Sequence, residues 1–290
     1  MDNSRAILLM TIAMAAFAVT DALIKEAAGA IGAMQCLLLT SVLSLAAFLP
    51  LVWKNGDRLF SRKALSPPML VRTFGEIIGA GGVVSALAIL PLSLVVALLQ
   101  AQPLALTAAA AIFLKETVGW RRWSAVSVGF VGMMVILRPG AEGFDVALLL
   151  PLLGVVGLTL RDLGTRLLPP DISTPLAASW ALIAVGTVGG LGTFAGSGWT
   201  EMNAGMWGIV VAASITVAAA YWTITAALRL GEISAVAPFR YTRIIFAMLI
   251  AWFFLGERPD FWVWAGLAII IASGLYSFWR ERQIARNVSA

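Results

Sequence analysis

Apolar runs bounded by charge, proline or glycine recur along the whole chain, and polar residues gather in the short stretches between them. Most of the runs approach the 20 or so residues that a helix needs to cross the hydrocarbon layer of a membrane. Strands of a membrane barrel would instead read as segments of about 10 residues alternating in and out. The stretch 265–275 shows no such alternation. Ten spans result, at 6–24, 31–53, 69–90, 92–114, 123–137, 146–160, 174–194, 206–228, 235–255 and 261–278, the fifth and sixth being equally the shortest. The fold class expected is therefore all-α integral membrane, with ten transmembrane helices.

A self-comparison finds an internal repeat. One offset of 141 residues relates Glu116 to Glu257, Asp21 and Lys25 to Asp162 and Arg166, Trp123 to Trp264, Ser93 to Ser234, and Val95 to Val236. A single ungapped offset from the first span to the last implies duplication of a five-helix unit, residues 6–137 and 146–279. Because five is odd, the second copy lies upside down relative to the first. Inverted repeats are an architecture of alternating-access carriers, with the site near the midplane. The repeat also bears on the N-terminus, where Arg5, an apolar stretch and Ala16-Phe17-Ala18 imitate a cleavable signal peptide. Removing 6–25 would delete the counterpart of 146–166, so the segment is read as the first helix.

Charge sets the orientation. Fourteen of the 20 Lys and Arg residues fall on one side of this arrangement, three (Lys25, Arg138 and Arg258) on the other, and three (Arg72, Arg240 and Arg243) within spans. The basic side is the cytoplasmic one, which places both termini there, in a bacterial-type inner (plasma) membrane. Composition agrees: 60% of the 290 residues are hydrophobic and 12% charged, whereas a soluble domain carries about 25% charged residues. The net charge of +5 is scattered through short loops with no dense basic stripe, so nucleic acid is not a partner. Cys36 is the only cysteine and lies inside an apolar run, which excludes an intrachain disulfide and a cysteine-based metal site.

The stretch from Ala227 through Gly231-Glu232-Ile233-Ser234 to Pro238, then an apolar helix ending Leu255-Gly256-Glu257 and an aromatic-rich helix, resembles the EamA domain. Its first-half counterpart runs from Leu90-Pro91-Leu92-Ser93 through Lys115-Glu116 to Arg122-Trp123. Two such copies cover nearly the whole chain, similar to the ten-helix transporters of the drug/metabolite transporter superfamily. The resemblance implies a central cavity between the halves, alternating access, and a substrate such as an amino acid, nucleoside, vitamin or amphipathic drug. The chain has no histidine, so a scheme with a cavity histidine does not carry over.

Ionisable groups inside spans are the first candidates for function, because a centred charge costs at least about 2.5 to 3.5 kcal/mol. Arg72 and Glu76 are four residues apart and share one face of the third helix. Glu76 sits roughly 10 Å deep, and Arg240 and Arg243 roughly 7 and 12 Å deep from the same side, at 1.5 Å per residue. Three arginines against one carboxylate favour a site for a carboxylate or other acceptor-rich group, since arginine offers a planar fork of donors. Snorkelling of Arg72 and Arg240, with Glu76 and Arg243 as a structural pair, is the competing reading. Tyr241, Gln100, Gln102 and Trp222 join the substrate-binding candidates. By the 141 offset Gln100 matches Tyr241 and Gln102 matches Arg243, which places both pairs near the pseudo-twofold. Interhelical hydrogen bonding for the glutamines and packing for Trp222 remain the alternatives.

Asp21 with Lys25 and Asp162 with Arg166 read either as i,i+4 pairs that open and close with a gate or as ordinary charged helix ends. Glu76 is the best-placed carboxylate for a coupling proton. Glu116 and Glu257 are expected to bond exposed amides in the turn that follows each. Gly75, Gly79, Gly81 and Gly82, and Gly186, Gly189, Gly190 and Gly192, read as close helix packing. No HExxH site, GxGD segment, Asp-rich diphosphate motif or P-loop occurs, so an enzyme is not expected and no cofactor or metal is implied. The function expected is a secondary-active transporter of a small metabolite, favoured as an exporter of an amino acid or related amphipathic compound. A riboflavin-type vitamin importer, or a passive channel or assembly subunit, is the alternative.

Overall fold

A computed structural model describes residues 3–60, 65–115, 119–138, 145–169, 171–230 and 236–289. The helices are α1 (Asn3–Ile31), α2 (Ala33–Lys54), α3 (Pro67–Ile89), α4 (Leu92–Leu99), α5 (Gln102–Phe113), α6 (Trp120–Leu137), α7 (Leu149–Arg166), α8 (Thr174–Gly192), α9 (Ala204–Leu230), α10 (Thr242–Leu255) and α11 (Phe261–Ser289). Among the described residues nine helical segments are long and apolar enough to cross a membrane, and the shorter apolar helix Trp123–Leu137 lies within α6. All ten expected spans are therefore helical.

Proline sets several of the boundaries. Pro67 and Pro68 occupy the first turn of α3, where a missing N–H costs nothing, and α3 stops before Pro91 because a residue preceding proline avoids the helical region. The fourth span is expected as one helix but breaks into α4 and α5. Pro103 has no N–H to offer the carbonyl of Leu99, and its ring would crowd that carbonyl, so α4 ends there. The ninth span opens with a 3-10 turn, Ala237–Tyr241, around Pro238 before α10 begins. Its far end closes on Gly256 at φ 65, a left-handed cap that suits glycine.

The chain forms two compact units: residues 1–19, 91–146 and 219–290 make the first, and 20–90 and 147–218 the second. Each draws on both halves of the sequence. In the second unit α2 and α8 begin 141 residues apart, at Ala33 and Thr174, and pack antiparallel. Gly186, Gly189 and Gly192 meet Ser41, Leu38 and Met34 in turn. In the first unit α6 and α11 begin 141 residues apart, at Trp120 and Phe261, and also run antiparallel, with Gly132 against Gly266 and Ile269. Antiparallel packing of repeat counterparts is what inversion requires.

The tightest seam lies between α3 and α7. A Cβ on Gly82 would stand 2.7 Å from the backbone N of Gly154, and one on Gly164 would stand 2.6 Å from that of Arg72. Gly157 lies against the backbone of Gly79, and Gly75 against that of Arg161. The packing reading of Gly75, Gly79 and Gly82 thus has its partner, α7. Gly81, by contrast, has nothing within 4 Å of where its Cβ would be. Gly157→Ala is expected to cost about 1 to 3 kcal/mol through backbone overpacking. Gly81→Ala should be neutral or stabilising by up to about 1 kcal/mol through helix propensity. Unfolding midpoints of the detergent-solubilised proteins check both; equal midpoints would mean the seam is looser than drawn.

Candidate functional site

In the second unit α3, α7 and α8 gather charge inside the spans. The sequence reading ends the sixth span at residue 160, but α7 continues to Arg166, so Arg161 and Asp162 become intrahelical. Arg161 pairs with Glu76 across the α3–α7 seam at 3.6 Å, and its Nε donates to Asp162 at 2.8 Å. Arg72, buried on the same face of α3 as Glu76, turns the other way and donates from Nη1 to the carbonyl of Ala177 at 2.7 Å. One oxygen of Glu76 and the Nε of Arg72 are buried with no hydrogen-bond partner among the described residues. A buried carboxylate oxygen without a donor is a place where a proton, a water or a ligand group lowers the energy. Within its own unit Glu76 thus pairs with Arg161 rather than with Arg72. Arg161, which falls just past the sixth span as read from sequence, is the residue that reading missed.

Thr20 Oγ1 donates to Thr216 Oγ1 at 2.8 Å, also in the second unit. The offset carries Thr20 to Arg161 and Gly75 to Thr216, so this hydroxyl contact is the counterpart of the Gly75–Arg161 approach. The repeat is kept in packing while its chemistry has diverged: one copy carries a charged crossing and the other a neutral one. Asp21 is buried beside Thr20. Lys25 donates to the carbonyl of Leu90 at the end of α3 at 2.7 Å, a favourable place for a cation at a helix C-terminus. Arg166 is exposed in the last turn of α7.

The first unit builds a second constellation, from α1, α4, α9 and α10. Gln100 Nε2 donates to the carbonyl of Tyr241 at 3.3 Å, so two residues related by the repeat touch each other. Two symmetry-related residues meet only where the pseudo-axis passes, which puts Gln100 and Tyr241 on it. Two residues on, the Arg243 guanidinium lies over the ring of Phe17 at 5.3 Å from its centroid, and Phe17 meets Tyr221 edge-on at 5.7 Å. The ring of Tyr241 is buried against Phe278, and its hydroxyl, which points at Gly274, has no hydrogen-bond partner among the described residues. Gln102 is buried and Arg240 half-buried. Trp222 lies outside this group, with 62% of its surface exposed. Phe17 carries no sequence signal of its own, being one aromatic among many in an apolar run.

Glu257 reaches well beyond its own turn. Its carboxylate accepts from the backbone N–H groups of Leu92 and Ser93 at 2.7 and 2.9 Å, and from Ser93 Oγ at 2.7 Å. These are orphan amides of the first turn of α4, and an anion there also meets the positive end of the helix dipole. Its repeat counterpart Glu116, and Ser234, lie outside the described residues.

Among the described residues, nine apolar helices long enough to cross a membrane and a shorter tenth define the class: a multi-pass membrane protein. The EamA-like transporter family matches residues 4–138 and 146–279, and the chain belongs to that family, within the drug/metabolite transporter superfamily. A relative named riboflavin transporter from Vibrio cholerae serotype O1 is 29% identical, over 96% of each chain. Another so named, from Rhizobium johnstonii, is 28% identical over 75% of this chain and 72% of its own. A relative named S-adenosylmethionine uptake transporter, from Rickettsia bellii, is 24% identical over 60% of this chain and 59% of its own. A solved crystal structure superposes over 97% of this chain and 99% of that chain with a TM-score of 0.64 at 19% identity, which shows the same fold.

Proposed function

We propose that this chain carries a flat nitrogen-heteroaromatic metabolite of the riboflavin type across the inner membrane by alternating access, with both termini cytoplasmic. The observation that carries the reading is the Arg243–Phe17–Tyr221 cluster next to the Gln100–Tyr241 contact on the pseudo-axis. Aromatic faces and a stacked guanidinium bind planar π-systems, and the guanidinium edge donates to ring carbonyls and nitrogens. Riboflavin and S-adenosylmethionine, named for the relatives, both join such a ring to a hydroxyl-bearing sugar or sugar-alcohol group. Amino-acid export, the reading favoured from sequence alone, has less support, because most amino acids have no ring to use this cluster. Arg243, Tyr241, Gln100 and Gln102 are the proposed contacts retained from the sequence, with Phe17 and Tyr221 added, and Trp222 is left out.

Proteoliposomes holding the purified protein should take up riboflavin saturably and show counterflow against preloaded riboflavin. Unlabelled S-adenosylmethionine should compete weakly, and phenylalanine and threonine not at all. Uptake that rises linearly with concentration would make the protein a channel, and competition by amino acids alone would return the amino-acid reading.

A further inference from the structure

The first unit has a groove that the transport site does not use. It lies between the first two turns of α6 and the last turns of the membrane-spanning part of α11, and has a volume of about 390 Å³. Arg121, Ser124 and Val128 line it from α6, and Ser273 and Tyr276 from α11, with Trp120 at its rim. Residues 121, 124 and 128 recur at helical spacing, so one face of α6 forms the wall.

Three observations define what fits there. The first is charge. Among the described residues Arg121 is the one charged residue lining the groove, and no carboxylate lines it. Its guanidinium rests on the indole of Trp120 at 5.4 Å from the centroid, which holds the cation at the rim with its N–H edges open. Both serine hydroxyls are engaged, Ser124 donating to the carbonyl of Trp120 at 3.0 Å and Ser273 to that of Ile270 at 2.9 Å. The helix start beside them has Gly119 as its N-cap, with no side chain to bond the first-turn amides. Together these present donors and positive charge at the rim.

The second is position. Trp120 is 73% exposed and opens α6, while Tyr276 and Trp279 pair at 6.1 Å where the span of α11 ends. Since α6 and α11 are antiparallel, the two ends lie at the same membrane surface, and amphipathic aromatics of this kind sit at headgroup level. The third is polarity along the groove. Away from the rim it is walled by Ala125 and Val128, the latter exposed on the helix surface. A ligand anionic at one end and apolar at the other matches this gradient.

The geometry points to a binding site for one anionic phospholipid, its phosphate on Arg121 and the α6 amides, and an acyl chain along Val128. The site is separate from the transported solute and uses none of the Arg243 constellation.

Native mass spectrometry of the full-length detergent-solubilised protein, titrated with phosphatidylglycerol or with phosphatidylcholine of the same chains, tests it. Phosphatidylglycerol should be retained at a stoichiometry of one with about fivefold or greater preference, as one basic contact at a membrane surface provides. Arg121→Gln should erase that preference, while Arg58→Gln, the same charge change in an exposed loop, should leave it. Val128→Trp, which fills the groove without touching the charge, should abolish retention, so a poorly folding Arg121 variant does not block the test. Equal retention of both lipids, equal loss in Arg121→Gln and Arg58→Gln, or unchanged retention in Val128→Trp would each overturn the proposal. So would displacement of the lipid by millimolar glycerol phosphate, which would make the ligand a free phosphate.

Discussion

Arg243→Lys is expected to raise the KM for the transported solute about tenfold or more, a loss of at least ~1.4 kcal/mol of binding, while the unfolding midpoint stays where it was. Lysine keeps the positive charge over Phe17 but loses the planar fork, so it neither stacks on a ring nor donates twice to neighbouring acceptors. Phe17→Ala should act in the same direction by removing the platform, and Phe17→Tyr should be close to neutral. Initial uptake rates in proteoliposomes, with protein amounts matched, give the KM values. Equal KM for Arg243→Lys and the parent would make Arg243 scaffolding and move the search to Gln100 and Gln102. Glu76 does not enter this experiment, because its ion pair is with Arg161.

The larger effect on folding is expected at that ion pair, and it is asymmetric. Arg161 faces two carboxylates, Glu76 at 3.6 Å and Asp162 at 2.8 Å. Arg161→Ala strands Glu76 inside the spans and is expected to cost about 3 to 5 kcal/mol, the range for breaking a buried pair. Glu76→Gln leaves Arg161 still bonded to Asp162 and should cost less than about 1 kcal/mol. The double variant should recover part of the loss, since no charge is then left on residue 76 to bury. Denaturation in mixed micelles, monitored by tryptophan fluorescence, measures all three. If Arg161→Ala and Glu76→Gln are equally mild, the cluster is well hydrated and its charges do not stabilise the fold. Glu76→Gln has a second readout: if its unpartnered oxygen takes the coupling proton, uptake by this variant no longer responds to an imposed pH gradient. Unchanged response would assign the proton elsewhere, with the buried Asp21 as the next carboxylate to test.

The helices were legible because the bilayer imposes one rule on every span: with no water available, the backbone must satisfy itself, and apolar runs of sufficient length do so as helices. The sites were harder. In sequence a helix end shows as the point where charge begins, and α7 breaks that rule by carrying Arg161, Asp162 and Arg166 in its last turns. The charge is tolerated because Arg161 reaches a carboxylate on α3, a fact about α3 that the local sequence of α7 does not contain. Phe17 and Tyr221 were illegible as a pair for a similar reason: an aromatic side chain inside an apolar run reads the same whether it faces lipid, a packed helix or a guanidinium.

The sequence by itself determined the solvent, the number of spans and their inversion, since these follow from hydropathy, from charge asymmetry and from an offset of 141 that counterpart helices α2 and α8, and α6 and α11, reproduce in their start positions. It also determined that small residues would make the seams. Which helix each seam belongs to, that Glu257 caps α4 from 164 residues away, and that each compact unit mixes helices of both repeats were decided by tertiary structure alone. The physical reason is that hydrophobicity in a membrane does not discriminate one apolar face from another. Partner choice there falls to close backbone approach and to pairing of buried polar groups, both of which depend on residues distant in the chain.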